Sequence, residues 1–263
     1  MSETYLDSIL AAHRVAAASD TRALDDLIER ARSCSPTRGF TAALGPGFSV
    51  IAEVKRRSPS KGDIEIELDP ALLARQYERG GASCLSVLTD LDAFGGSRDD
   101  LVAARNSVTV PVLRKDFTVS ARDVCDARIM GADAVLLIVA ALDDAELSDF
   151  HTLALELDLD ALVEVHDEAE LARAERVGAR LVGVNQRDLV TFRVDTARAV
   201  RMAPKLPDGV VRVAESGIAG PADAAPLFEA GYDAVLVGES LVRSGDPAAA
   251  VTALREVGDK AHG

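Results

Sequence analysis

The sequence predicts an α/β fold: a single (β/α)8 TIM barrel over residues 1–263, with an N-terminal helical extension and connector over residues 1–47. Three observations predict it. Beyond residue 48, short apolar β-branched runs alternate with amphipathic segments through eight strand–helix units. A glycine that ends a helix, followed by two residues and a strand, recurs about every two units, at Gly81, Gly131, Gly178 and Gly231. No Gly-x-Gly-x-x-Gly follows the first strand, which disfavours an open dinucleotide-binding sheet.

The predicted strands are short and largely apolar, as expected for strands that are buried on both faces of a parallel barrel. They cover Val50–Val54, Cys84–Leu88, Val110–Leu113, Ala134–Val139, Ala161–Val165, Leu181–Val184, Val210–Ala214 and Ala234–Val237. Potential N-cap residues mark most helix starts, namely Asp69, Ser97, Ser120, Asp143 and Asp167. The predicted helices cover Pro70–Arg79, Arg98–Asn106, Ala121–Met130, Asp144–Leu157, Glu168–Val177, Asp195–Met202, Ala222–Ala230 and Pro247–Val257.

The segment before the first strand is predicted to be helical from Thr4 to Arg32, because its apolar residues recur at three- and four-residue steps. Asp20 or Thr21 would cap a second part of this segment. Residues 34–47 are rich in Gly and Pro and are expected to form a connector. Phe40 and Leu44 within the connector are predicted to plug an apolar opening.

The composition disfavours several classes of protein. A formal net charge of −14 argues against binding to nucleic acid or to an anionic membrane, and no apolar run is long enough to cross a bilayer. The cysteines, three in number, have neither disulfide nor metal-ligand spacing, which indicates a reducing cytoplasm and no metal site. The histidines also lack ligand spacing. His166 follows a strand end, but a surface or supporting position is favoured for it.

Polar and ionisable residues collect at the carboxyl ends of the predicted strands, where barrels of this class build their active sites. They are Glu53, Lys55, Lys115, Glu164, Asn185, Arg187, Glu215 and Ser216. Any one of them could be a structural salt-bridge partner. A barrel that only packs would not place such a group at nearly every odd-numbered strand, so we expect a general acid and a general base at this end.

Two glycine-containing turns predict a phosphate site. Ser216 and Gly217 follow the seventh strand, and Gly238 and Glu239 follow the eighth; such turns expose main-chain N–H groups beside a helix start. A second anion is expected near the Lys55–Arg57 side, and Arg56, Arg57 and Arg114 add to a predicted basic mouth. The expected ligand is a phosphorylated small molecule, with no cofactor and no metal.

Several motifs resemble those of the indole-3-glycerol-phosphate synthase family of tryptophan biosynthesis. The most specific are Glu53–Gly62, reading Glu-Val-Lys-Arg-Arg-Ser-Pro-Ser-Lys-Gly, and Pro111–Phe117, reading Pro-Val-Leu-Arg-Lys-Asp-Phe. The resemblance covers nearly the whole chain through further segments: Leu88–Asp90, Phe94–Ser97, Leu162–His166, Val184–Leu189, Glu215–Ile218 and the turn at Gly238. Two departures are Gln186, where many members have Asn, and Glu239, where some have Ser. The second departure implies a phosphate cradle that depends on main-chain N–H groups.

The resemblance implies a lyase that closes the ring of 1-(2-carboxyphenylamino)-1-deoxyribulose 5-phosphate. Carbon dioxide and water are released, and the product is indole-3-glycerol phosphate. It implies that Lys115 is the general acid, that Glu164 is the general base, and that Lys55 holds an anionic part of the substrate. The other implied site residues are Glu53, Asn185 and Glu215 in catalysis; Ser58, Phe94, Phe117, Leu136, Arg187 and Leu189 in substrate binding; and Lys55, Ser216, Gly217, Gly238 and Glu239 in phosphate binding.

Three alternatives stay open at this point. One is a Schiff-base aldolase with Lys115 or Lys55 as nucleophile, another is a different isomerase of the tryptophan or histidine pathway, and the third is a non-catalytic sugar-phosphate binder. Because Arg114 is adjacent in sequence and Lys55 should approach across the mouth, we also predict that the pKa of Lys115 is moderately lowered. The protein is expected to act without nucleic acid or membrane, as a monomer, with association to other pathway enzymes left open.

Overall fold

The structure is a computed structural model that describes residues 5–45, 47–59 and 61–260. Eight parallel strands form a closed barrel. Their bounds are β1 Ser49–Val54, β2 Cys84–Leu88, β3 Val112–Lys115, β4 Ala134–Ile138, β5 Asp160–Val165, β6 Leu181–Asn185, β7 Val211–Glu215 and β8 Ala234–Val237. Each strand pairs with the next along the chain, and β1 also pairs with β8, which closes the barrel. The predicted (β/α)8 fold is confirmed.

Helices surround the barrel and separate its strands. Those in the described ranges are α1 Tyr5–Ser19, α2 Leu24–Arg32, α3 Phe40–Ala43, α4 Pro70–Arg79, α5 Leu91–Phe94, α6 Arg98–Ser107, α7 Ala121–Ile129, α8 Asp144–Glu156, α9 Glu168–Arg176, α10 Arg198–Met202, α11 Pro221–Glu229, α12 Glu239–Val242 and α13 Pro247–Lys260. The short α5 and α12 are not predicted as separate helices from the sequence. Nor is a two-residue antiparallel pair, Arg57–Ser58 with Gly62–Asp63, in the loop after β1.

The N-terminal segment contains two helices, which confirms the predicted second part, but the N-cap residue of α2 is Ala23 and not Asp20 or Thr21. α1 ends at Ser19 and α2 begins at Leu24. Between them, Asp20 Oδ1 accepts a hydrogen bond from the main-chain N–H of Arg22 at 3.0 Å. Local bonding of this kind competes with helical hydrogen bonds and interrupts the helix. Thr4, the predicted start, lies outside the described residues.

Strand β3 lies two residues later than predicted. Pro111 has no N–H to donate, so the strand begins after it. Lys115 is therefore the last residue of the strand, in register with Leu88, and not part of the following loop. The other strand ends differ from the predicted ones by at most one residue.

Two apolar cores lie on the two faces of the barrel wall. Alternate residues of each strand point inward, and Ile51, Leu113, Leu162 and Val213 belong to the inner core. Residues of the opposite parity, such as Val50, pack beneath the helices in a larger outer core. Because apolar side chains fill the inside of the barrel, space for a polar ligand remains only at the strand ends.

Helix α3 and the residue after it close the amino-terminal end of the barrel. Phe40 and Leu44 are buried in the inner core. The main-chain oxygen of Phe40 accepts a hydrogen bond from Cys84 Sγ at 3.5 Å, and the N–H of Thr41 donates to Asp160 Oδ2 at 2.8 Å. Cys84 and Asp160 begin β2 and β5. The predicted apolar plug is therefore confirmed, and it is attached to the starts of two strands.

Helix α1 lies at the opposite end of the barrel. Leu6 and Ile9 line the central cavity. Arg14 donates to the main-chain oxygen of Ala141 at 2.9 Å and pairs with Glu146 at 2.6 Å. Since α2 packs outside against α7, the N-terminal segment passes from the mouth of the barrel to its base. No described helix combines the length and apolar character that a membrane span requires.

His13 attaches α1 to the barrel wall. Its Nε2 lies 2.8 Å from Asp90 Oδ2 and 3.9 Å from Asp116 Oδ1. The hydrogen bond with Asp90 raises the pKa of His13, although burial opposes the rise. This contribution to stability is complete below the unfolded-state pKa of about 6.5 and is lost as the pH rises through the folded-state value.

We expect His13→Asn to lower the free energy of unfolding by up to about 1 kcal/mol at about pH 5.5, and by less at about pH 9. Urea unfolding of the variant and the parent at both pH values measures the difference, in which other titrating groups cancel. Arg14→Gln is the control, because its ion pair with Glu146 stays charged over this range. An equal loss from His13→Asn at both pH values would contradict the interpretation.

Candidate active site

A cavity of about 460 Å³ opens at the carboxyl ends of the barrel strands. Every residue that the sequence assigns to the site lines it: Glu53, Lys55, Ser58, Phe94, Lys115, Phe117, Leu136, Glu164, Asn185, Arg187, Leu189, Glu215, Ser216, Gly217, Gly238 and Glu239. The structure therefore brings together residues that the sequence spreads over almost 190 positions. Their individual chemical roles stay predictions.

Three arginines of the predicted basic mouth point elsewhere. Arg114 has the outward parity of β3 and donates to the main-chain oxygen of Asp123 at 2.9 Å. Arg56 pairs with Asp100 at 2.8 Å, and Arg57 donates to the main-chain oxygen of Leu91 at 2.9 Å. The prediction is wrong for these three residues. The cations that line the cavity are Lys55, Lys61, Lys115, Arg187 and Arg243.

Glu53 and Lys55 form a close ion pair at the end of β1. Lys55 Nζ lies 2.5 Å from Glu53 Oε1, and only 3% of the Glu53 side chain is exposed. Ser86 Oγ donates a further, longer hydrogen bond of 3.4 Å to Glu53 Oε2. Burial tends to raise the pKa of Glu53, but Lys55 and Lys115 outweigh burial and lower it. Glu53 is therefore an ionised carboxylate inside the barrel.

Lys115 is surrounded by carboxylates. Its Nζ lies 3.6 Å from Glu215 Oε2 and 3.7 Å from Glu164 Oε2. Burial opposes the charged form, but Glu215, Glu164 and Glu53 together raise the pKa of Lys115. The predicted lowering of this pKa is wrong, because Arg114 points away and three carboxylates contribute more than Lys55. Lys115 is held as an ammonium ion.

The two carboxylates beside Lys115 are buried and have little access to solvent. Burial and the proximity of Glu164 raise the pKa of Glu215 to about 8, while Lys115 acts in the opposite direction. Both oxygens of Glu164 are buried and make no hydrogen bond within the described ranges, and the same is true of Glu215. Buried carboxylates without donors are costly, so their retention points to chemistry with a ligand.

An apolar pocket lies beside these charges. The rings of Phe94 and Phe117 are 6.4 Å apart, and Leu136 completes the predicted aryl-binding surface. Leu6 and Ile9 of α1 also line the cavity, and their role at the site is not predicted from the sequence. Apolar residues at three-residue spacing in a first helix indicate only that one face is buried, and do not identify what covers it.

The turns after β7 and β8 form one continuous wall of the cavity. Ser216 and Gly217 both have left-handed backbone angles, with φ of 69° and 74°. Gln186 Nε2 donates to the main-chain oxygen of Ser216 at 2.8 Å, so the residue that departs from the family pattern supports the predicted phosphate turn. Arg243, which the sequence did not single out, lies 3.7 Å from Glu239 Oε1 and partly offsets its negative charge.

Gly238 makes room for Glu53. A Cβ at position 238 would lie 2.5 Å from Glu53 Oε1, a distance that cannot be accommodated without movement. The predicted reason for this glycine, approach of the main chain to phosphate, is therefore not the only one. A larger residue there would displace the Glu53–Lys55 pair.

We expect Gly238→Ala to cost about 1–3 kcal/mol of folding stability, as overpacking does in well-filled sites. In a Glu53→Ala background most of this cost should disappear, because the crowded carboxylate is absent. Chemical unfolding of the four members of this double-mutant cycle measures the coupling. If Gly238→Ala costs as much in the Glu53→Ala background, the glycine is required for another reason.

One cluster of potential metal ligands is present among the residues that the structure describes, at His13, Asp90 and Asp116. Its carboxylates already have partners. Asp90 Oδ1 accepts a hydrogen bond from the N–H of Ala93 at 2.6 Å, and Asp116 Oδ2 accepts one from Arg114 at 2.9 Å. We interpret the cluster as the attachment of α1 and assign no metal to it.

The closed parallel barrel, with an ammonium ion and buried carboxylates at its carboxyl end, has the architecture of a (β/α)8-barrel enzyme. A family model described as indole-3-glycerol phosphate synthase matches residues 6–254. The chain belongs to the indole-3-glycerol phosphate synthase family, as its motifs predicted.

Similar sequences agree with this assignment, and a solved structure agrees with the fold. Indole-3-glycerol phosphate synthases of Kineococcus radiotolerans and Nocardioides sp. are 51% and 53% identical to the chain. The first alignment covers 97% of this chain and 96% of the relative, and the second covers 94% and 96%. A 3-hexulose-6-phosphate synthase from Salmonella typhimurium superposes with a TM-score of 0.65 at 16% identity, over 81% of this chain and 99% of that structure, and shows the fold alone.

Proposed function

We propose that the chain converts 1-(2-carboxyphenylamino)-1-deoxyribulose 5-phosphate to indole-3-glycerol phosphate, with loss of carbon dioxide and water. One observation carries the proposal: the Lys115 ammonium lies between the buried carboxylates of Glu164 and Glu215, in a cavity with an aromatic wall and a glycine-containing turn. Membership of the indole-3-glycerol phosphate synthase family supports it.

In this proposal Lys115 is the proton donor. The neighbouring carboxylates keep it protonated, so it enters the reaction with a proton to give. It donates a proton to the ribulose carbonyl oxygen as the ring closes. After it regains a proton from solvent, it donates a second one to the hydroxyl that departs as water. Because a raised pKa weakens an acid, stabilisation of negative charge on the reacting oxygen becomes a large part of its contribution. Glu164 is the base that removes the substrate proton.

The ion pair at the end of β1 is proposed to hold the ring carboxylate of the substrate. Lys55 Nζ lies 6.0 Å from the centre of the Phe94 ring, at the border between the charged and the apolar parts of the cavity. Glu53 fixes the ammonium at this border. Carboxylate binding and aryl binding would then occur side by side, as the substrate requires.

The remaining contacts are proposed from their places around the cavity. Asn185 is the last residue of β6 and Arg187 lies two residues further on; Asn185 Oδ1 accepts a hydrogen bond from the N–H of Arg187 at 2.9 Å. They would orient the sugar hydroxyls together with Glu215. Ser58 and Leu189 would contact the substrate from the loops after β1 and β6. The phosphate would lie against Ser216, Gly217, Gly238 and Glu239, with Lys55 directly after the neighbouring strand β1.

The electrostatics of Lys115 disfavour the Schiff-base alternative. A nucleophilic amine must be neutral, whereas the three neighbouring carboxylates raise the pKa of Lys115. A non-catalytic binder would have no use for Glu164, a buried carboxylate without a hydrogen-bond donor in the described part of the chain. Both features favour an acid–base enzyme.

We further propose that the protein works in the cytoplasm on a phosphorylated small molecule, as a monomer and without nucleic acid or membrane. The three cysteines are free, and Cys84 and Cys125 are buried. An acidic chain also makes a weak partner for nucleic acid. Association with other enzymes of the pathway is compatible with this proposal.

The test is incubation of the purified protein with the carboxyphenylamino substrate while indole fluorescence is followed. We expect a fluorescent indole product together with one equivalent of carbon dioxide. Borohydride added during turnover should trap no stable adduct. Binding without turnover would favour the sugar-phosphate binder, and a trapped adduct at Lys115 or Lys55 would favour the aldolase.

A further inference from the structure

His166 lies between two carboxylates at the edge of the candidate site. Its Nδ1 is 3.0 Å from Glu170 Oε2, and its Nε2 is 3.5 Å from Glu164 Oε1. Glu170 Oε2 also accepts the main-chain N–H of His166 at 2.8 Å. The ring is thus attached at one nitrogen to the first turn of α9 and faces Glu164 with the other.

The facing atoms are buried and lack partners. Within the described residues, His166 Nε2 and both oxygens of Glu164 make no hydrogen bond, and 1% of the Glu164 side chain is exposed. Because Nδ1 is engaged with Glu170, a protonated ring has its second N–H at Nε2, aimed at Glu164. A small movement of about 0.5 Å would bring the two atoms to normal hydrogen-bond distance.

The charges around the ring favour the protonated form. Burial opposes it, and Arg198 acts in the same direction, but the hydrogen bond to Glu170 and the charges of Glu164 and Glu170 outweigh them and raise the pKa of His166. A protonated ring at position 166 places a positive charge 3.5 Å from Glu164 Oε1, on the side of this carboxylate that faces α9.

We propose that His166, held by Glu170, is a positioning residue that orients the Glu164 carboxylate and stabilises its negative charge. The inference rests on the proposed function, in which Glu164 is the base. In this role no proton leaves His166. Its Nε2–H donates to one oxygen of Glu164, and the other oxygen remains available to the substrate.

A pH profile tests the role. A cation stabilises the negative charge of an adjacent carboxylate, and replacing His166 with neutral Gln removes this stabilisation from Glu164. Since only the ionised base is active, the acidic limb of kcat/KM against pH should move to higher pH in His166→Gln. The loss of activity should be about tenfold at low pH for each unit of displacement, and should vanish at high pH, where the wild-type ring is also neutral.

Variants on α9 provide matched controls. Glu170→Gln should displace the acidic limb in the same direction but by less, because the ring stays in place while its protonated form is weakened. Glu168→Gln, two residues away and paired with the exposed Lys205, should leave the profile unchanged. A uniform loss across all pH values in His166→Gln, with no displacement of the limb, would mean a merely structural role and would overturn the inference.

A second measurement does not depend on turnover. In NMR titrations of protein labelled at histidine, the His166 resonance should titrate at a lower pH in Glu164→Gln than in the wild type, because one neighbouring negative charge is gone. An unchanged midpoint would overturn the inference. The same variant separates the two proposals: if Glu164→Gln keeps its activity, the assignment of the base fails. If Glu164→Gln is inactive but the limb in His166→Gln does not move, only the inference about His166 fails.

Discussion

Lys115→Met should reduce kcat by at least about 100-fold while substrate still binds. General acid catalysis contributes about 10²–10⁴-fold, and loss of the ammonium also removes electrostatic stabilisation of the reacting oxygen. Single-turnover kinetics at saturating substrate measure the chemical step directly. Lys205→Met, at an ion pair remote from the cavity, is the matched control and should keep the wild-type rate.

The folded state of Lys115→Met needs its own check. Removing one partner of a buried ion pair can cost about 3–5 kcal/mol, because the other charge is left unpaired. Glu215 should limit this cost: its pKa is raised to about 8 even beside Lys115, so it is largely protonated at neutral pH and leaves no unpaired charge when the ammonium is removed. We therefore expect a folded, destabilised variant. If folded Lys115→Met keeps more than about a tenth of the wild-type rate, the loss is smaller than the usual contribution of a general acid. Lys55 then becomes the leading candidate for the proton donor.

Glu164→Gln should also reduce kcat by at least about 100-fold, with little effect on substrate affinity, because the amide has the shape of the carboxylate but cannot accept the proton. Glu215→Gln is the comparison that the structure offers. Burial and Glu164 raise the pKa of Glu215 to about 8, so at about pH 7 it is largely protonated and Gln resembles its normal form.

The expected order of activity at neutral pH is therefore wild type, then Glu215→Gln, then Glu164→Gln, with the largest step at Glu164. Steady-state kinetics of the three proteins, after circular dichroism has established that each is folded, measure the order. A smaller loss in Glu164→Gln than in Glu215→Gln would exchange their proposed roles.

The fold and the membership of the site were accessible from the sequence because both follow from local pattern. Short apolar runs predict strands such as Leu181–Asn185, and the parallel topology places the carboxyl ends of the strands at one edge of the barrel. The sixteen predicted site residues accordingly line one cavity. The alternation of side chains along a strand can also be read from the sequence. It places Arg114 and Lys115 on opposite faces of β3, and in the structure Arg114 points outward and Lys115 inward.

Only the tertiary structure decided the electrostatics of the site, because distances between strands cannot be read along the chain. Lys115 was expected to have a lowered pKa beside positive charges, yet three carboxylates from other strands raise it. Gly238 leaves space for the side chain of Glu53, a residue far away in the sequence. His166, for which a surface or supporting position was favoured, faces Glu164 with a buried nitrogen.

The sequence by itself determined the barrel, the family and which side chains meet at the mouth, since these depend on apolar periodicity, helix caps and short motifs in consecutive residues. The tertiary structure alone decided the protonation of Lys115 and Glu215, the contribution of α1 to the lining of the cavity, and the charge that faces Glu164. The physical reason is that Coulomb interactions and burial depend on spatial separation and solvent exclusion, which closure of the barrel sets for residues far apart in the chain.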